Sequence, residues 1–224
     1  MMDSRIETCF NSRVSSPTAE SAAPARLIVS QLRRIRRIVD AAVELAEEGG
    51  FEGVRLRDVA EASDVSLGTL YKYFRSKEDI LLFAVNEGGE HLQAAIVARP
   101  PGAETPTQRI TELFARATRG LVRRPNFARA ALRSIASGDE SMAVQTACFH
   151  LRTSRLVIAT LRGEVPDTSR PLSEPVGTPE EQQIASVLEH VWFASLLGWA
   201  SGLHPSSQVT ARMASTASLL LGDT

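Results

Sequence analysis

Arg57-Asp58-Val59-Ala60-Glu61-Ala62-Ser63-Asp64-Val65-Ser66-Leu67-Gly68-Thr69-Leu70-Tyr71-Lys72-Tyr73-Phe74-Arg75-Ser76-Lys77-Glu78-Asp79-Ile80-Leu81 is the stretch on which the fold turns. Leu56, Val59 and Ala60 fall on one face of a short helix, Ala62–Val65 breaks it, and Ser66 opens a second short helix ending at Phe74. Val65, Leu70 and Phe74 can turn inward. That leaves Leu67, Gly68, Thr69, Tyr71, Lys72 and Tyr73 outward, a face too aromatic for plain solvent. Nine helical residues span about 13 Å, close to the roughly 12 Å width of a DNA major groove. Hydroxyls and ammoniums on such a face suit phosphate oxygens. Ser76-Lys77-Glu78-Asp79 then reads as a capping box that opens a longer apolar helix, with Lys77 in its first turn.

Outward from this stretch the chain reads as helix throughout. Upstream, Ile35, Ile38, Val39, Ala42, Leu45 and Ala46 form one apolar stripe that Gly49-Gly50 ends. Downstream, Thr105-Pro106-Thr107-Gln108 and Thr178-Pro179-Glu180-Glu181 are helix starts with a hydroxyl cap and proline in the first turn. Pro125 ends the helix begun at 106, and a new one runs to Ser137-Gly138. Another spans roughly 140–162, a Pro- and Gly-containing loop fills 163–178, and helices at 179–202 and 207–221 close the chain. Gly88-Gly89 reads as helix punctuation. Residues 1–31, rich in Ser, Ala and Pro near their centre, are expected to be a flexible arm.

Composition removes other classes. The 224 residues are 43% hydrophobic and carry 25 Lys+Arg against 26 Asp+Glu, a formal net charge of −1. Wholesale disorder and bulk electrostatic nucleic-acid binding are excluded, while a local basic face remains open. No run of about 18 apolar residues occurs, so no membrane span is expected, and residues 1–30 lack the pattern of a secretory signal. Two cysteines, Cys9 and Cys148, are too few for a disulfide scaffold or a Cys-based zinc site, and a cytoplasmic protein is expected. His91, His150, His190 and His204 are scattered without ligand spacing or a nucleophile motif. No catalytic, metal or cofactor site is expected.

The segment Phe51…Leu81 resembles the DNA-binding domain of the TetR family of transcriptional regulators. The resemblance covers about fifty residues and implies an all-α chain: a three-helix helix-turn-helix domain (32–80) followed by a helical ligand-binding and dimerisation domain (81–224). It implies that Arg57, Leu67 and Gly68 lie near base edges, and that Thr69, Tyr71, Lys72, Tyr73 and Lys77 contact sugar and phosphate, with Ser66 beside them. One departure stands out. Arg55 occupies a position where many members carry a capping Thr; a guanidinium can bind phosphate but cannot cap in the same way. Val191-Trp192-Phe193-Ala194-Ser195-Leu196-Leu197-Gly198-Trp199 and the closing Leu219-Leu220-Leu221-Gly222-Asp223 are similar to the KstR group of actinobacterial cholesterol-catabolism repressors.

From 191 to 200 the penultimate helix is apolar nearly all round and must be covered on more than one side. Leu188, Ser195, Gly198, Trp199, Met213 and Leu220 are expected at a homodimer interface, the small residues admitting a partner helix. The resemblance places Phe114, Phe127, Met142, Phe149, Trp192 and Leu196 around one ligand cavity, with Arg116, Arg119 or Arg152 for an acidic end group. The function expected is a ligand-responsive repressor. It binds inverted-repeat double-stranded DNA as a homodimer and releases it to an apolar effector, a lipid or steroid acyl-CoA. A helical binding protein or enzyme using the motif for protein contacts, and a TetR-type regulator of drug efflux, are the alternatives.

Overall fold

The computed structural model describes residues 22–136 and 142–222, with side chains from residue 29. The described residues form helices α1 Ala22–Gly53, α2 Leu56–Ala62, α3 Leu67–Tyr73, α4 Lys77–Ala98, α5 Pro106–Val122, α6 Pro125–Ala136, α7 Ala143–Arg162, α8 Pro179–Ala200 and α9 Ser206–Leu221, with no strand among them. No helix of the described residues is long and apolar enough to cross a membrane.

Two compact units result. One takes the chain to Val85 together with Pro125–Thr146; the other takes Asn86–Arg124 and Ala147 onward. The helices α4 and α7 therefore each supply residues to both.

In the first unit, Ile35, Ile38, Val39, Ala42 and Ala46 of α1 are buried against Val59, Ala60, Leu70, Phe74, Ile80 and Leu81. The rings of Phe74 and Phe83 meet edge to face at 5.6 Å, a geometry that aligns ring edge with ring face. The α1 helix is interrupted at Gly50, whose φ of +63° is the left-handed conformation that glycine adopts without steric cost. Between α2 and α3, Asp64 takes φ +53°, tolerable for a short polar residue, and the Ser63 hydroxyl donates to Val59 O at 2.6 Å. α6 belongs to this unit because Glu47 of α1 caps it. Its carboxylate accepts Phe127 N–H at 3.0 Å, and Asn126 Nδ2 donates to Glu47 O at 2.9 Å. A carboxylate at a helix N-terminus satisfies orphan N–H groups and meets the positive end of the dipole.

The second unit buries Ile110, Leu113 and Phe114 of α5, Leu156, Val157 and Ile158 of α7, Ala185, Leu188, Trp192 and Leu196 of α8, and Val209, Met213 and Ala217 of α9. Thr178 and Glu181 form the expected capping box of α8: Glu181 N–H donates to Thr178 Oγ1 at 3.2 Å and Thr178 N–H to Glu181 Oε2 at 2.6 Å. The fork of Arg162 pairs with both carboxylate oxygens and, with those N–H donors, holds Glu181 down at about 2.

Two expectations change, and one is extended. Part of the anticipated arm, from Ala22, is helical, because Ala22, Ala23 and Ala25 are strong helix formers and Pro24 sits in a first turn whose N–H groups lack partners anyway; residues 1–21 lie outside the described residues, as does the expected stop at Ser137-Gly138. Gly88 and Gly89 do not punctuate; they lie inside α4. At the capping box of α4, Asp79 N–H donates to Ser76 Oγ at 3.2 Å as expected, and the Asp79 carboxylate accepts Arg75 N–H at 3.0 Å.

Candidate functional site

The α3 helix is seven residues long and begins at a real cap: Ser66 Oγ accepts Thr69 N–H at 3.1 Å and lies 2.8 Å from Thr69 Oγ1. The cap holds the two hydroxyls together at the exposed N-terminal end. Tyr71 is 53% exposed, and Lys72, Gly68, Arg55 and Arg57 are exposed as well. A Cβ on Gly68 would meet nothing within 4 Å, so that face of the helix is open. Arg55 stands at the N-cap of α2 in extended conformation and makes no side-chain cap bond. Leu67 and Tyr73 differ from the expectation of an outward pair. Both are partly buried against the core of the first unit, since a seven-residue helix packed through Leu70 has little fully outward face. Arg34 Nη1 donates to the Tyr73 hydroxyl at 3.2 Å, so a residue of α1 positions that phenol. The sequence signal for it was the arginine run 33, 34, 36 and 37, which had been read only through its apolar neighbours.

Lys77 packs within its own unit. Its ammonium donates to Phe51 O at 2.9 Å, lies 3.7 Å from the Phe51 ring centroid and 3.8 Å from Glu52 Oε2. Arg133 adds its guanidinium 4.2 Å from the same ring and pairs with Glu52 at 2.9 Å. The lysine clasps the turn after Gly50 to the start of α4.

In the second unit, Trp192 gathers an aromatic cluster. Its indole N–H donates to Thr118 Oγ1 at 2.9 Å, and its ring lies 5.5 Å from Phe114 and stacks at 6.5 Å on Phe149. Leu196 is buried on the same helix. These are four of the residues expected around a ligand. Phe127 and Met142 are not among them: both belong to the first unit, Phe127 packed against its core and Met142 buried. The Glu47 cap takes Phe127 there. Of the three candidate arginines, Arg119 is exposed, Arg116 is tied to Glu112 and to Arg99 O, and Arg152 is buried.

His150 and Glu189 form a pair the scattered histidines did not announce. His150 Nδ1 lies 2.7 Å from Glu189 Oε1, whose residue is buried, and the His150 ring stacks on His190 at 6.4 Å. The hydrogen bond to Glu189, aided by its charge and opposed by partial burial, raises the His150 pKa. Among the described residues no group of three His, Cys, Asp or Glu side chains could hold a metal ion. Cys148 is buried.

The expected dimer set is also redistributed. Leu188, Ser195, Trp199 and Met213 are buried within this one chain, so they have no surface left to give a partner. Gly198 serves its own subunit: a Cβ there would stand 2.6 Å from Nε2 of the buried His204. Of the expected set Leu220 is exposed, and the same two helices also expose Val187 and Leu219.

Comparison with known proteins agrees with this geometry. Residues 38–83 match the family model of bacterial regulatory proteins of the tetR family, and residues 103–220 match a tetracyclin repressor-like C-terminal domain. The HTH-type transcriptional repressor KstR of Rhodococcus jostii is 31% identical over 194 residues, covering 87% of this chain and 85% of that protein. Among solved structures, a TetR transcriptional regulator from Rhodococcus sp. RHA1 superposes with a TM-score of 0.73 at 23% identity, over 87% of this chain and 98% of the other. The Thermus thermophilus repressor FadR, in complex with lauroyl-CoA, gives 0.61 at 21% identity over 84% and 93%. With helix-turn-helix and C-terminal domain both matched, and a transcriptional repressor similar over most of its length, this chain belongs to the TetR family of bacterial transcriptional regulators.

Proposed function

We propose that the protein acts in the cytoplasm as a homodimer on an inverted-repeat operator and leaves it when an acyl-CoA thioester, of a fatty or steroid acid, binds the second unit. The observation that carries the DNA half is the capped, exposed face of α3, with Gly68, Tyr71 and Lys72 open to a groove. On this reading Arg57, Leu67 and Gly68 lie against base edges, and Arg55, Ser66, Thr69, Tyr71, Lys72 and Tyr73 hold phosphates. Lys77 holds the start of α4 to the turn at Phe51 and Glu52. One short helix reads too few bases for selectivity, which is why two copies on a twofold axis are required. Val187, Leu219 and Leu220 on the exposed faces of α8 and α9 are the residues proposed for the isologous contact.

The effector half rests on the Phe114–Phe149–Trp192 cluster with Leu196, on the resemblance to cholesterol-catabolism repressors, and on the acyl-CoA held by the fold relative from Thermus. An apolar aromatic cluster with one buried polar contact suits a large apolar ligand. The test begins with operator sequences selected from a random duplex pool. Steroid acids, their CoA thioesters, fatty acyl-CoAs and planar cationic drugs are then titrated against the complex. Release by thioesters at micromolar concentration is expected. Release by cationic drugs alone would replace the lipid reading with drug sensing.

A further inference from the structure

The α4 helix begins in the first unit at Lys77 and continues through the second unit to Ala98, yet its interior contains Gly88-Gly89. Two adjacent glycines are poor helix formers and leave the backbone free to bend. Something must hold the helix straight there. One side chain spans the pair. Arg152 of α7 donates from Nη1 to Asn86 Oδ1 at 3.2 Å and to Asn86 O at 3.4 Å, and from Nη2 to Glu90 Oε1 at 2.8 Å. Asn86 precedes the glycines and Glu90 follows them. The stem lies against the second glycine, since a Cβ on Gly89 would sit 3.5 Å from Arg152 Cδ.

The two ends of this contact are unequally placed. The Arg152 side chain is 8% exposed, whereas that of Glu90 is 41% exposed. A buried guanidinium without a counter-charge is costly, so it retains an anion at all times. A half-exposed carboxylate, by contrast, returns to water easily. Phe149 lies one turn before Arg152 on α7 and stacks on Trp192, so an apolar surface lies one helical turn from the cation.

We propose that Arg152 is a staple across Gly88-Gly89 and that the effector's anionic group takes the place of Glu90 on it, letting α4 bend at the glycines. The ligand is therefore an amphiphile with an apolar body and an anionic head, a carboxylate or the phosphates of a thioester carrier. This rests on the reading of the protein as a DNA binder released by a ligand. A bend in α4 would alter how the recognition helices of the two copies are spaced, and two half-sites tolerate little misfit.

The test uses the full chain with palmitic acid, palmitoyl-CoA and uncharged hexadecanol as probes. For the wild type, acid or thioester should release operator DNA at a concentration at least tenfold below hexadecanol; the acid alone shows a carboxylate source, the thioester alone a phosphate source. E90Q should be released at a concentration at least fivefold lower. R152Q should release equally with charged and uncharged probes. G88A adds a Cβ that meets nothing within 4 Å, stiffens the helix, and should need at least fivefold more ligand while the Trp192 fluorescence titration is unchanged. Amide hydrogen exchange of residues 88–92, followed without DNA, should accelerate in R152Q and on adding palmitate to the wild type. R152K, which keeps charge but not the fork, should be intermediate and covers the event that R152Q does not fold. Retained discrimination in R152Q, or exchange at 88–92 that neither the variants nor the probe alters, would overturn the staple. Failure of the wild type to bind duplex DNA would overturn the functional reading instead, with the exchange experiment still deciding the staple.

Discussion

Replacing Lys77 with methionine keeps the length and apolar stem of the side chain and removes only its ammonium. Three contacts go with it: the bond to Phe51 O at 2.9 Å, the approach to the Phe51 ring at 3.7 Å and the pairing with Glu52 at 3.8 Å. A hydrogen bond from a charged donor contributes about 1.5–3 kcal/mol, and a cation over an aromatic ring about 0.5–1 kcal/mol. The pair with Glu52, whose side chain is 74% exposed, adds about 0–1 kcal/mol. Released side-chain freedom offsets up to about 2 kcal/mol of this. The net expected loss is roughly 1–3 kcal/mol of stability, with the turn after Gly50 loosened first. Urea unfolding followed by circular dichroism measures it. Fluorescence anisotropy with operator DNA, repeated over a range of salt, supplies the second readout. A phosphate contact would appear as a fall of about one in the salt exponent for each contact removed. K77M with wild-type stability and a shallower salt dependence would refute the clasp and return Lys77 to the DNA. Lost stability with an unchanged salt exponent is the result the structure requires.

Arg57→Ala should relax base preference at one position in each half-site by about 1–3 kcal/mol, read by selection from a random pool; a uniform loss of affinity with unchanged preference would refute its base-reading role. Gly198→Ala should destabilise the chain, because its Cβ would lie 2.6 Å from Nε2 of buried His204. Overpacking costs about 1–3 kcal/mol and the gain in helix propensity returns about 1, so His204→Ala in the same chain should remove the penalty, as thermal unfolding would show. Because its hydrogen bond to Glu189 raises the folded-state pKa of His150, this pair's contribution is fully present below about pH 6.5. It is lost as pH rises through the raised value, so unfolding at a series of pH values should show a decline above 6.5 that His150→Gln flattens. A stability that rises over that window would contradict the assignment.

What could be read from the chain alone was whatever depends on residues three or four apart. Ser66, Thr105 and Thr178 cap helices through bonds to the backbone three residues on, and Gly50 turns left-handed where the apolar stripe of α1 gives out. Such signals are local, so helix order, the helix-turn-helix and most boundaries followed from spacing. The expectations that changed concern partners distant in sequence. Glu47 caps α6 from 80 positions away and so draws Phe127 into the first unit. Lys77 finds Phe51 O 26 positions back, and Arg152 meets Glu90 62 positions back. The α8 helix shows the same limit differently. A helix apolar on nearly every side announces that two faces will be covered, but its periodicity is identical whichever neighbour does the covering. Only the packing of neighbouring helices within the chain decided that Leu188, Ser195 and Met213 are interior while Val187 and Leu219 are left outside, because burial belongs to the surfaces that meet and not to the residue that carries one of them.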